Sequence, residues 1–275
     1  MMRLSNPLPK ESVKNIFTAC ANGYEDKGRR AVLMKCLPLI MKDSCGFTQK
    51  MMRRIASFNG STLPSDVPTE SLSKLYNEKF VPKKAPGRQY YDVILNQPKL
   101  GICPICGVRT VHTLDHYLPK SKYPTLSVTP LNLVPCCRDC NSDKQSYSFV
   151  SDEDAPLNPY FDDISSERWL TVTIRADQGI IYDVACPPSW SNHLKNRVKN
   201  HIKLYKLISL YATKAAQEIN ECIKLWQIIY WHSSDALKCY FSEMRDSAES
   251  NDLNSWRAAL YRGLVEQFNV VELWM

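Results

Sequence analysis

With 275 residues, the chain is long enough to bury a hydrophobic core without disulfide bonds, and its 44% hydrophobic and 23% charged residues match an ordinary globular protein. No segment approaches the ~18 apolar residues of a membrane span, and the start MMRLSNPLPKESVK lacks the apolar region of a secretory signal. We therefore expect a protein of a reducing, cytoplasmic compartment that does not associate with membranes.

The formal net charge of +7 is unevenly distributed along the chain. Residues 1–95 carry 16 basic and 8 acidic side chains, and residues 184–217 carry six basic and no acidic ones. Residues 151–183, in contrast, carry two basic and eight acidic side chains. Basic segments thus bracket the centre of the chain, as a groove for a phosphate backbone would require. A basic, solvated surface explains the charge alone equally well.

Residues 1–95 are predicted to form an N-terminal helical region. Apolar residues recur at spacings of three and four in ESVKNIFTAC, GRRAVLMKCLPLIMK and TQKMMRRIASF. The loop NGSTLPSDVP interrupts this pattern, which restarts in TESLSKLYNEKF. A further short helix is expected in RQYYDVILNQP, directly before the cysteine-rich centre.

The remaining chain divides into a small central module and a C-terminal region. Residues 96–150 hold four spaced cysteines and two short β-rich runs, VRTVHTL and LNLVP. Residues 151–275 are predicted to begin with a β-hairpin that turns at 177–179 and to continue as helices. Within IKLWQIIYWH, the aromatic residues Trp226, Tyr230 and Trp231 fit either a buried stripe or a partner surface.

Two CxxC pairs predict a metal site in the central module. Cys103, Cys106, Cys137 and Cys140 supply four thiolates, which suit tetrahedral Zn²⁺. Such a closed site is structural because it leaves no coordination position for a substrate. An iron–sulfur cluster is the competing interpretation. Cys136 is not counted among the metal ligands, since only Cys137 and Cys140 repeat the spacing of the first pair.

The segment between the cysteine pairs carries candidate catalytic residues. Asp115 and His116 close the first β-rich run, and neighbouring residues share a site only at the end of a strand, which Pro119 favours. A histidine with a pKa near ~6.5 can act as a general base at neutral pH. Asp115 and Asn141, which follows Cys140, offer oxygen ligands for Mg²⁺ or Mn²⁺. A base and a cation are what phosphodiester hydrolysis needs.

The order Asp-His, NLVP and CxxCNxxK resembles the HNH family of nucleases, in its zinc-stabilised branch. The resemblance implies a fold of the α+β class, mainly α, in which a ββα-metal module with a four-cysteine zinc site lies between helical regions. It implies that His116 is the catalytic base and that Asn132 orients the loop carrying His116. Asn141 stands where many family members have histidine. Taken singly, each residue also has a structural explanation, as a turn residue or a helix cap.

Four basic residues surround the motif and are predicted to contact phosphates, with solvated surface charge as the alternative. These residues are Lys120, Lys122, Arg138 and Lys144. His112 is predicted to be structural because it lacks an adjacent carboxylate.

A longer stretch, DHYLPKSKYPTLSVTPLNLVPCCRDCNSDK, is similar to the PtuB nuclease subunits of Septu-type anti-phage defence systems. This resemblance implies a partner ATPase of the ABC type, PtuA, and in retron-linked systems a reverse transcriptase with its RNA-linked DNA. The nucleic-acid substrate, DNA or an RNA such as tRNA, stays open. The alternative function is a non-catalytic zinc-binding module that docks nucleic acid or a partner protein.

Overall fold

A computed structural model describes residues 2–9, 12–52 and 54–275. The chain divides into two units, the first spanning Arg3–Asp162 and the second Asp163–Met275. The fold is of the α+β class and mainly helical, as predicted, and the described strands form two sheets of two strands each. None of the described helices is both long and apolar enough to cross a membrane.

Five helices open the first unit, mostly where apolar periodicity predicts them, but of TQKMMRRIASF only residues 48–51 lie in a described α-helix and Ile55–Ser57 form a 3-10 turn. The five helices are α1 Ser12–Asn22, α2 Lys27–Met34, α3 Leu37–Met51, α4 Ser71–Lys79 and α5 Arg88–Leu95. The carboxylate of Asp26 caps α2 by accepting the backbone N–H of Arg29 at 3.0 Å. The helices bury one apolar face each, which includes Ile16 and Phe17 of α1 and Leu72 of α4.

A small sheet and a short helix complete the first unit. Strand β1 (Thr113–His116) pairs antiparallel with β2 (Leu133–Cys136), and helix α6 (Arg138–Lys144) follows. Because an isolated pair of strands is marginal in water, the sheet needs a partner. Leu114 and Leu133 therefore join the helical core that contains Phe17 and Leu72.

This shared core differs from the three regions predicted from the sequence. Residues 1–95 and 96–150 pack together in one unit, so no boundary between units lies at residue 95. The second boundary lies between Asp162 and Asp163 and not at residue 150. Residues 151–162 belong to the first unit, where the hydroxyl of Tyr160 donates to the carbonyl of Leu133 at 3.0 Å.

The second unit begins with the predicted hairpin, which is confirmed. Strand β3 (Leu170–Ile174) pairs antiparallel with β4 (Ile180–Val184). The helices that follow are α7 Asn192–Leu204, α8 Leu207–His232, α9 Ser234–Glu249, α10 Trp256–Glu266 and α11 Phe268–Val271. Trp226 is fully buried against Phe241, whereas Trp231 is 77% exposed, so the aromatic stretch of α8 serves the core only in part.

Candidate functional site

Four buried cysteines converge on one point of the first unit. The Sγ atoms of Cys103, Cys106, Cys137 and Cys140 all lie within 4.8 Å of one another. Zn²⁺ bound tetrahedrally at ~2.3 Å from each sulfur would place the sulfurs ~3.8 Å apart, which this spacing accommodates. The four cysteines can therefore hold a structural metal such as zinc.

The first cysteine pair lies on a turn whose backbone is directed at the sulfur atoms. Gly107 has φ 66°, a conformation that favours glycine, and its N–H donates to the carbonyl of Cys103 at 2.8 Å. The turn brings the N–H of Arg109 to 3.5 Å from Sγ of Cys106. Hydrogen bonds from neighbouring thiols and this donor lower the pKa of Cys106, and a lower pKa favours the thiolate form that binds metals.

The second cysteine pair forms the start of α6. Cys137 is the N-cap of this helix, and its Sγ accepts the N–H of Cys140 at 3.4 Å. Hydrogen bonding from Cys103 lowers the pKa of Cys137 to about 6. Cys136 lies outside the cluster, as predicted. Burial and the charge of Asp115 raise the pKa of Cys136 well above its usual value and keep it a neutral thiol.

A pocket of about 410 Å³ borders α6 and contains most of the predicted catalytic residues. Asp115, His116, Asn141 and Lys120 all line it. Strand β1 ends at His116, and all four of its residues line the pocket. Asn141 reaches it because it directly follows Cys140 in α6. The cysteine cluster and the pocket thus share one short helix.

The imidazole of His116 is held in one orientation. Its Nε2 lies 2.9 Å from the backbone carbonyl oxygen of Ser127. Because a carbonyl can only accept, Nε2 carries the proton of the neutral ring, and the lone pair is on Nδ1. The ring of Tyr76 packs edge to face against it at 4.5 Å. Burial lowers the pKa of His116 to about 3, below the ~6.5 expected from the sequence, so the ring is neutral at neutral pH and is a weaker base than an exposed histidine.

A buried ion pair links α6 to β1. Nζ of Lys144 lies 2.9 Å from Oδ2 of Asp115 and 2.6 Å from the backbone carbonyl oxygen of His116. The Lys144 side chain is 1% exposed. Burial raises the pKa of Asp115, while the charge of Lys144 opposes this effect. The sequence predicts that Lys144 contacts phosphates from the surface, but the last turn of α6 places its ammonium group inside the protein beside Asp115 and His116.

Asn132 does not line the pocket and instead holds the loop that follows His116. Its side chain is fully buried. Oδ1 accepts the N–H of Leu118 at 2.8 Å, and Nδ2 donates to the carbonyls of Leu118 at 3.1 Å and Leu126 at 3.3 Å. This loop includes Ser127, which binds His116, so the amide of Asn132 acts on the pocket through the backbone.

The other predicted phosphate-binding residues are spread over the surface. Nζ of Lys120 lies at the pocket, 2.7 Å from Oδ1 of Asn77 and 4.4 Å from the ring centre of Tyr76. Lys122 and Arg138 are exposed and do not line this pocket. Lys120 is therefore the predicted surface lysine with direct access to the candidate site.

Sequence reasoning missed several residues of the pocket, among them Tyr76 and Asn77. Both belong to α4 and line the pocket together with residues of β1. Their segment shows only the apolar periodicity of an ordinary amphipathic helix. Nothing in that pattern indicates which cavity its residues face.

Replacing Lys144 with methionine is expected to lower the free energy of unfolding of the first unit by about 3–5 kcal/mol, because a buried carboxylate loses its partner. The double variant Asp115→Asn/Lys144→Met should recover part of this loss. Urea denaturation followed by far-ultraviolet circular dichroism measures both values. A Lys144→Met variant as stable as the wild type would show that the ion pair does not stabilise the fold.

Among known proteins, the chain is similar to protein ea31 of Escherichia phage lambda. The two sequences are 29% identical over 289 aligned residues, which cover 94% of this chain and 95% of the phage protein. No protein-family model matches the chain, and no solved structure does. The similarity extends over both units, and the name of the phage protein states no activity.

Proposed function

We propose that the chain is a metal-dependent endonuclease of the HNH type, which hydrolyses phosphodiester bonds in nucleic acid. One observation supports this most strongly. Asp115, His116 and Asn141 are separated by up to 26 positions in sequence but line one pocket beside a cysteine cluster. A base and two oxygen ligands in one cleft form the minimum set for metal-assisted hydrolysis.

In the proposed mechanism, His116 accepts a proton at Nδ1 from the attacking water or hydroxyl group. The hydrogen bond between Nε2 and Ser127 keeps the ring in the required tautomer. Lys120, at the mouth of the pocket, would position the phosphate. Tyr76 packs edge to face against the imidazole and would shield that side of the ring from water.

Asp115 and Asn141 would hold a divalent ion, Mg²⁺ or Mn²⁺. A pocket that supplies one carboxylate and one amide suits an ion that keeps several of its waters. When bound, the ion would neutralise charge on the phosphate and on the leaving oxygen. Lys144 occupies Oδ2 of Asp115, so the ion and the lysine would share this carboxylate.

The alternative function is a non-catalytic zinc-binding module that docks nucleic acid or a partner protein. The observation that favours it is the set of structural partners around the pocket. Asp115 is paired with Lys144, and His116 is bound to Ser127, as buried structural residues would be. This alternative predicts binding that survives His116→Ala and the removal of weakly held divalent ions.

Cleavage by the purified full chain tests the proposal. Plasmid DNA and a tRNA preparation are incubated with the protein after mild chelation, with and without added Mn²⁺ or Mg²⁺. We expect cleavage that depends on the added ion. The product ends identify the nucleophile, because a 2′,3′-cyclic phosphate requires RNA and attack by a ribose 2′-hydroxyl. Turnover of neither substrate under any ion condition would favour the docking module.

The resemblance to PtuB subunits supports a further part of the proposal, an ATPase of the ABC type as partner. In retron-linked systems, a reverse transcriptase with its RNA-linked DNA would join the complex. The exposed Ile228 and Trp231 of α8 offer an accessible apolar surface for a protein partner. Co-purification of an ABC-type ATPase with the tagged chain from its own host would test this part separately from cleavage.

A further inference from the structure

A row of lysines runs along α7 in the second unit, away from the candidate pocket in sequence. Lys195, Lys199 and Lys203 are spaced by four residues, so they share one face of the helix. Lys206 follows the end of α7 and lines the same surface pocket of about 520 Å³ as Lys199 and Lys203. Lys199, Lys203 and Lys206 are exposed, and Lys195 is half-buried. We name these four residues the lysine row.

Three members of the lysine row, Lys195, Lys199 and Lys203, do not hold the fold together. The buried residues of α7 include Val198 and Ile202, which pack inward beside the lysines. Among the described residues, no acidic side chain forms an ion pair with Lys195, Lys199 or Lys203. The burial of α7 therefore does not depend on these ammonium groups.

The charge around the lysine row is not compensated along the chain. Residues 184–217 contain six basic side chains and no acidic one. One acid, Asp183, lines the pocket, and its carboxylate accepts the N–H of Val184 at 2.7 Å. Residues 218–275, which form the rest of the second unit, carry five basic and nine acidic side chains. A surface that served only solubility would mix both signs, as that later part of the unit does.

We propose that the lysine row is a second contact surface for nucleic acid, which binds the phosphate backbone. Clustered ammonium groups bind a polyanion favourably because they release the counterions condensed on it. Lysines four residues apart advance ~6 Å along the helix axis, so the row presents a line of charges to a backbone and not a single point. This inference extends the proposed nuclease function, because the second unit would hold substrate that the pocket of the first unit cleaves.

Binding by full-length protein that also carries His116→Ala tests the inference without cleavage. Fluorescence anisotropy is measured with a labelled 30-base-pair DNA duplex and with an RNA of equal length, over a range of salt concentrations. The test variant is Lys199→Gln/Lys203→Gln. The matched control is Lys224→Gln/Lys238→Gln, which removes the same charge from exposed positions elsewhere in the same unit.

We expect the test variant to bind at least one of the two probes about tenfold more weakly than its parent near 0.1 M salt. The slope of log K against log salt should fall by about 1.8 for duplex DNA, since each lost phosphate contact removes about 0.9. The control should stay within about twofold. Equal losses in test and control variants, or no binding by the parent to either probe, would overturn the inference. Cleavage by the wild type is a separate readout, so failure of the nuclease proposal would be recognised independently.

Discussion

The His116→Ala variant is expected to cleave nucleic acid about 10²–10⁴-fold more slowly than the wild type, the usual contribution of a general base. Its imidazole lines the pocket with Asp115 and Asn141, and its tautomer leaves Nδ1 free of a proton. Alanine removes this acceptor and leaves the oxygen ligands in place. Single-turnover rates measured with saturating Mn²⁺ separate this loss from a change in ion affinity.

The matched control is His112→Ala. His112 is exposed, lies just before β1 and does not line the pocket. We expect this control to keep the wild-type rate within about threefold, as surface substitutions cause small effects. Wild-type rates in both variants would remove His116 from the mechanism, whereas equal losses in both would point to damage of β1.

The Cys140→Ser variant is expected to lose the bound metal and to unfold the segment 103–144. Structural zinc in small domains contributes apparent binding free energies of about 10–16 kcal/mol. Removing one of the four ligands is expected to abolish much of this binding free energy. Cys140 is fully buried and belongs to α6 together with Asn141 and Lys144. The variant should therefore disturb the catalytic pocket as well as the metal site.

Two measurements check this expectation. Elemental analysis of the purified wild type should give one zinc per chain, and Cys140→Ser should retain far less. Amide hydrogen exchange resolved by mass spectrometry should show faster exchange in residues 103–144. Tryptophan fluorescence is unsuitable for this purpose because all six tryptophans lie in the second unit.

The control for this variant is Cys45→Ser, in a half-buried cysteine of the same unit that lies outside the cluster. It should keep the metal and the exchange rates of the wild type. A Cys140→Ser protein with full zinc content and unchanged exchange would mean that another residue completes the site, and the buried Cys136 would be the first candidate.

The metal site could be predicted from the sequence because its information is local. A CxxC pair fixes two sulfurs on one turn, and the turn chemistry of Gly107 and the N-cap at Cys137 reinforce that geometry. The end of β1 at His116 was predictable in the same way, from the nearby Pro119. The helices and the hairpin around residues 177–179 followed from apolar periodicity and turn residues.

The division into units and the walls of the pocket could not be predicted, because both depend on contacts between distant segments. The two-stranded sheet packs on the N-terminal helices through Leu114 and Leu133, and no local pattern indicates this partner. The same packing brings Tyr76 to His116. Lys144 resembles any surface lysine in sequence, and only the position of α6 against β1 explains its burial.

The central claim is that a divalent ion held by Asp115 and Asn141 supports cleavage in this pocket. The most direct test is the cleavage rate as a function of free Mn²⁺ for the wild type and for Asn141→Ala. The account predicts no cleavage without the ion, saturation as the ion is added, and a half-saturating concentration about tenfold or more higher in Asn141→Ala, as for the loss of a metal-site group. Cleavage that needs no divalent ion, or identical titration curves for the two proteins, would contradict it.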